Sequence, residues 1–161
     1  MRRKQNPVPV LPVSLLVQGR RCLVVGGGKI ALRKVGHLLD AEADVMVAAP
    51  EIVDKLREWV VAGRVEHIAR AFSVDDVTGC YLVYAATDSE EVNASVMDAC
   101  KEQGVLCSAI DSNWPRGDLV MPAITRKAGL TVSVATGGRS CTEARVIKER
   151  IADMLDGLGE D

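Results

Sequence analysis

The stretch Cys22–Lys34, "CLVVGGGKIALRK", sets a run of strand formers against a helix-forming segment with three glycines between them. Glycine costs backbone entropy on folding, so a cluster at such a junction signals a close approach to the main chain. Gly26, Gly28 and Ala31 spell G-x-G-x-x-A after an expected strand, Arg21–Val25, and at the opening of an expected helix. That is the context a dinucleotide fingerprint requires. The first glycine permits the tight turn, the second lets the main chain meet a pyrophosphate, and the small third residue allows close helix–strand packing. The phosphates would rest on the amides of the helix N-terminus. The bland alternative is a glycine-rich turn packed against protein alone.

Outward from this unit the pattern repeats. Expected elements are a helix over Lys29–Ala43, a strand at Asp44–Ala48 and a helix from Glu51 to Ala62, with Ile52, Leu56, Trp59 and Val60 on one face. Val65–Ile68, Tyr81–Ala86 and Val105–Ile110 read as further strands, and Ser89–Gln103 as a helix. Strands alternating with helices over short connections indicate an α/β fold, a Rossmann-type doubly wound parallel sheet. Beyond Asp111 the texture changes. "DSNWPRGDLVMPA" is a loop, Gly129–Thr136 a strand with no crossover helix before it, and Thr142–Leu155 an amphipathic helix. The expected organisation is a nucleotide-binding domain over residues 1–111 and a small α+β segment over 112–161.

The totals suit such a chain. It has 161 residues, 48% of them hydrophobic, and a formal charge of −2, enough for one globular domain with a small appendage. Aromatics are only 3% and no basic excess exists overall, which argues against nucleic acid as a partner. Five scattered cysteines lack the paired spacings of zinc or redox dithiol sites, and a reducing compartment fits them. No stretch approaches the roughly 18 apolar residues of a membrane span, and the proline-rich N-terminus is a poor secretory signal. The expectation is a cytoplasmic protein.

Several residues stand where ligands of open parallel sheets bind. Glu51, in "VAAPE", lies roughly 20 residues beyond the fingerprint, in range of a ribose hydroxyl, with Pro50 before it. No arginine follows to welcome a 2′-phosphate, which favours NAD over NADP. Thr87 and Asp88 lie at the C-terminal end of the fourth strand; the other reading is a helix cap, since Asp88 or Ser89 precedes a helix. Asp111 ends the fifth strand, where its carboxylate serves either as a base or as an ordinary turn residue. His37 and His67 have no companion that suggests a metal. After Asp111, Arg116, Arg126, Lys127, Arg139, Arg145, Lys148 and Arg150 make a local cationic excess, either a solvated face or a site for a polyanionic small molecule.

Taken together, "VVGGGKIALRKVGHLLDAEADVMVAAPE", "YLVYAATDSEEVN", "SAID", "MPAITRKAGLTVSVATGGRS" and "EARVIKERI" resemble the precorrin-2 dehydrogenase family, of the siroheme-synthase N-terminal type, from about residue 12 to 155. The resemblance implies NAD-dependent oxidation of precorrin-2 to sirohydrochlorin in siroheme synthesis, by a homodimer whose second small domain helps to form the cleft. Some family members also insert ferrous iron, and another enzyme of tetrapyrrole metabolism is a further implied partner. Carried over, the cofactor loop falls on Gly26, Gly27, Gly28, Lys29, Ile30 and Ala31, with Pro50, Glu51, Thr87 and Asn93 also at the cofactor. The essential aspartate falls on Asp111, and a small-residue substrate loop on Thr136, Gly137, Gly138 and Ser140. The sequence departs from the family in three places. Cys141 replaces a common proline, the loop between Asp111 and Pro122 is about one residue longer, and the helical region that often follows is truncated. The competing reading is a non-catalytic NAD-binding module of tetrapyrrole metabolism.

Overall fold

The computed structural model describes residues 8–112, 114–127 and 129–156. Two compact units emerge, one of them Ser14–Leu119 and the other the N-terminal residues up to Val13 together with the chain from Val120 onward. The division thus differs from the one expected after Asp111. The physical reason is local: Asp118 N–H donates to the Cys107 carbonyl at 2.9 Å and Cys107 N–H donates to the Asp118 carboxylate at 2.9 Å, so the loop after Asp111 lies along the last strand of the first unit.

In that unit the strands are β1 (Arg21–Val25), β2 (Asp44–Ala48), β3 (Val65–Ile68), β4 (Leu82–Ala85) and β5 (Leu106–Ala109). They form one parallel sheet in the order β3-β2-β1-β4-β5. Leu23, Val25, Val83, Ala85 and Cys107 turn to one face and pack with Val96 and Cys100 of helix α3 (Glu90–Gln103). On the other face α1 (Lys29–Asp40) packs on β1 and β2, and α2 (Asp54–Val61) on β3. With both faces covered, β1, β2 and β4 are apolar almost throughout rather than alternating. Leu56, the fully buried residue of α2, contributes roughly 2 kcal/mol by leaving water.

The α2 helix starts later than the sequence suggests. Val53 is extended, and its N–H is drawn to the Gly27 carbonyl at 2.9 Å, so residues 51–53 serve the glycine turn instead of the helix. The end of α3 follows expectation, with Gly104 in the left-handed region at φ 68° accepting the chain reversal.

The second unit contains a strand absent from the sequence reading, β6 (Ala123–Lys127), paired antiparallel with β7 (Leu130–Val134). Gly129, at φ 74°, lies in their connection. Helix α4 (Cys141–Asp156) packs on both strands. The N-terminal segment joins this unit through Val8, whose N–H donates to the Gly137 carbonyl at 2.9 Å.

Candidate functional site

In the strand order of the parallel sheet, β1 and β4 are neighbours from which the chain winds in opposite directions, and the loops leaving their C-terminal ends open a crevice. The registers align these ends. Val25 sits beside Ala48 and Ala85, and Ala85 beside Ala109. The turn of Gly26–Gly28, Pro50 and Glu51, Thr87 and Asp111 therefore all issue from one edge.

The three glycines have three different reasons. Gly26 is buried at φ 126°, and a Cβ on it would stand 2.3 Å from the Ala86 carbonyl oxygen. A Cβ on Gly27 would stand 1.9 Å from the carbonyl oxygen of Glu51. Gly28 is exposed, lies at φ −87°, and a Cβ there would meet nothing within 4 Å. The folded chain's own packing does not require glycine at that position; the space that a Cβ would occupy is a cradle. Gly28 is also the N-cap of α1, with no side-chain cap and no acidic residue in the first turn. The first amides of this helix and its positive dipole end are thus turned to the crevice, as a pyrophosphate requires. Ala31, fully buried, packs the helix onto the sheet, while Lys29 and Ile30 are exposed at the mouth. The residues present fit a dinucleotide.

Beyond this loop, His67 Nε2 lies 2.9 Å from the Ala49 carbonyl oxygen and braces the end of β2, next to exposed Pro50 and Glu51. The Ser89 hydroxyl caps α3 by accepting from Val92 N–H at 3.2 Å. Asp88, the alternative cap, is not the capping side chain.

Asn93 corrects the sequence reading. It was expected at the cofactor, yet it is completely buried and bonded to protein on every side. Its Oδ1 accepts from the Thr87 N–H at 3.1 Å and the Thr87 hydroxyl at 2.8 Å; its Nδ2 donates to the Thr87 carbonyl at 3.0 Å and to Asp111 Oδ2 at 2.7 Å. Two donors and two acceptors exhaust a carboxamide, which leaves nothing for a ligand. Asp111 itself is half-buried, and its carbonyl accepts from Trp114 N–H at 3.2 Å. Asp118, the other residue holding this loop, left no signal in the sequence because "PRGD" reads as any polar turn.

In the second unit the Thr136–Ser140 loop is internally bonded. Thr136 Oγ1 donates to the Ser140 carbonyl and accepts from Ser140 N–H, both at 3.1 Å, and Ser140 Oγ caps α4 by accepting from Glu143 N–H at 3.1 Å. Gly137 and Gly138 are both left-handed. The cations of the basic segment are largely in surface ion pairs. Arg139 meets both oxygens of Glu143 at 2.8 Å, Lys127 pairs with Asp156, and Arg145 and Lys148 approach Glu149. Arg116 belongs to the first unit and reaches Asp98 at 2.5 Å. Exposed pairs of this kind are worth little, so an incoming polyanion could replace them at small cost. Among the described residues, no three His, Cys, Asp or Glu side chains are grouped to hold a metal ion. No described helix is long and apolar enough to cross a membrane.

Comparison with known proteins gives the same picture. A family model described as putative NAD(P)-binding matches residues 13–123. A siroheme synthase of Nitrosococcus oceani is 38% identical over 146 residues, and one of Pseudomonas aeruginosa 39% over 145. Each alignment covers 90% of this chain but only 31% of the relative, so the chain spans about a third of the length of these curated proteins. Among solved structures, SirC, a precorrin-2 dehydrogenase, superposes with a TM-score of 0.74 at 26% identity, over 94% of this chain and 72% of that one. This chain belongs to the putative NAD(P)-binding family and is similar over nine-tenths of its length to the siroheme synthases.

Proposed function

We propose that the protein oxidises precorrin-2 to sirohydrochlorin with NAD, as a step of siroheme synthesis. The observation that carries this reading is the open Gly28 cradle at the β1/β4 crevice, on the same sheet edge as the Asp111 carboxylate. The relatives named siroheme synthase and precorrin-2 dehydrogenase support the substrate.

The loop Gly26–Ala31 holds the pyrophosphate, with Pro50 and Glu51 toward the adenosine ribose and the Thr87 turn on the nicotinamide side. Bound there, NAD supplies the hydride acceptor. Asp111 takes the proton that leaves with the hydride, so that a reduced tetrapyrrole loses one hydride and one proton and gains a double bond. Thr136, Gly137, Gly138 and Ser140 contribute to the substrate site, and the cations beyond residue 112 exchange their surface partners for substrate carboxylates. Much of the rate comes from holding the two reactants in line. A second copy of the chain, another enzyme of tetrapyrrole metabolism and a cytoplasmic setting complete the proposal.

Anaerobic turnover tests it. Purified protein with enzymatically generated precorrin-2 and NAD is expected to form NADH and sirohydrochlorin in equal amounts. Asp111→Ala is expected to lower turnover by at least about a hundredfold, the range of a lost general base, with NAD affinity kept within about threefold. NAD binding without turnover by the unaltered protein would overturn the reading in favour of a binding module.

A further inference from the structure

We propose that Asn93 is the positioning residue of the site, a buried bracket that holds the Asp111 carboxylate in its reacting orientation and ties it to the turn of Thr87. The proposal rests on the dehydrogenase reading for what Asp111 does, and on geometry for how it is held.

The orientation of the Asn93 carboxamide is forced. A main-chain N–H can only donate, so Thr87 N–H at 3.1 Å requires Oδ1 on its side, and the Thr87 carbonyl at 3.0 Å requires Nδ2 on the other. The second Nδ2 hydrogen then points to Asp111 Oδ2 at 2.7 Å, within the range of a charge-assisted bond. Asn93 cannot turn over without placing oxygen against oxygen at two points. Its backbone is fixed as well. It stands in the first turn of α3, its N–H donating to the Ser89 carbonyl at 3.0 Å, and Ser89 caps that turn.

A structural part alone would be complete with Thr87, which takes three of the four bonds. The fourth crosses to the neighbouring strand end and meets the half-buried Asp111 carboxylate. Asn93 thereby links the loops of β4 and β5, the cofactor side and the proton-accepting side of the proposed reaction. Since its hydrogen-bonding capacity is spent on protein, it acts through Asp111 and not on cofactor or substrate.

Asn93→Asp is the decisive variant. It keeps the size and the oxygen that accepts from the Thr87 N–H and hydroxyl, but sets an oxygen, not a donor, against Asp111 and the Thr87 carbonyl. The expected result is a kcat about a hundredfold lower, the cost of a misplaced reacting group, with KM for NAD and precorrin-2 within about threefold. A folded Asn93→Asp protein with kcat within about twofold of the unaltered chain would overturn the proposal, as would kcat and both KM values failing together. A second readout needs no turnover. The side-chain amide protons of Asn93, followed by NMR in Asp111→Ala, are expected to shift upfield and to exchange roughly tenfold faster as their bond is lost; unchanged resonances would also overturn it. Failure of the unaltered protein to oxidise precorrin-2 would instead sink the dehydrogenase reading, and the positioning role would fall with it.

Discussion

The carbonyl oxygen of Glu51 occupies the place where a side chain on Gly27 would begin, 1.9 Å from the ideal Cβ position. The turn after β1 and the turn after β2 are therefore packed backbone to backbone, with Val53 N–H bonded to the Gly27 carbonyl. Gly27→Ala is expected to destabilise the fold by roughly 3 kcal/mol, the cost of overpacking where main chain must move, and to lower the melting temperature measured by circular dichroism.

Gly28→Ala is expected to behave in the opposite way. Its φ of −87° suits alanine and the added methyl meets nothing, so stability changes by no more than about 1 kcal/mol, the scale of an N-cap substitution. NAD affinity, measured by calorimetry, is expected to fall at least about tenfold, because the methyl fills the phosphate cradle. Equal affinity would mean that the pyrophosphate does not rest there.

Arg70 grips Asp76 with Nη1 on Oδ2 at 2.9 Å and Nη2 on Oδ1 at 2.6 Å, while Ser73 N–H donates to Oδ2 at 2.8 Å and closes a capping box. The Arg70 hydrogen bond holds the Asp76 carboxyl below its ordinary value of 3.8, with the Ser73 N–H assisting against the opposing effect of burial. A depressed carboxylate stabilises the fold above its unfolded value, and that stability is lost as pH falls through the lower folded one. Asp76→Asn is expected to lower the melting temperature by about 4 °C at neutral pH, a gap that closes as pH falls below 3.8.

Four of the five cysteines are buried and only Cys141 is exposed. Burial pushes the Cys22 thiol up to about 11 and raises Cys80; a hydrogen bond with Cys107, together with burial, raises Cys100. The same hydrogen bond holds the Cys107 thiol below its ordinary value, so burial and not thiolate content is what protects all four. Titration with a disulfide reagent at pH 8 is expected to consume one thiol rapidly and the others only after denaturation, because a reagent in solution reaches only the exposed sulfur. Cys141→Ser is expected to abolish the rapid phase.

Gly137 is left-handed at φ 57°, and a Cβ on it would lie 2.4 Å from the Val8 carbonyl oxygen. Gly137→Ala is expected to release the N-terminal segment from the second unit, seen as rapid hydrogen exchange at the Val8 amide.

The parallel sheet was legible because its signal is local. Arg21–Val25, Asp44–Ala48 and Val65–Ile68 agree with the sequence reading end for end, the first two as short apolar runs and the third, VEHI, as a short segment between turn residues. The fingerprint was legible for the same reason. Gly26 makes the turn, Gly28 is open and Ala31 packs, as the spacing implied. Strand β6 was not legible, for Ala123–Lys127 is a polar, partly exposed strand whose pairing with β7 supplies what its own residues do not announce.

The sequence by itself determined the class of fold, the glycine turn after β1 and the carboxylate at the end of β5, because apolar runs, glycine spacing and strand ends are properties of neighbouring residues. Only the tertiary structure decided that Gly27 yields to Glu51, that the loop after Asp111 closes on Cys107, and that Asn93 faces Asp111 rather than a ligand. A hydrogen bond across 18 residues leaves no periodicity in the chain. It exists because two parallel strands end at the same level, and that level is set by the register of the whole sheet.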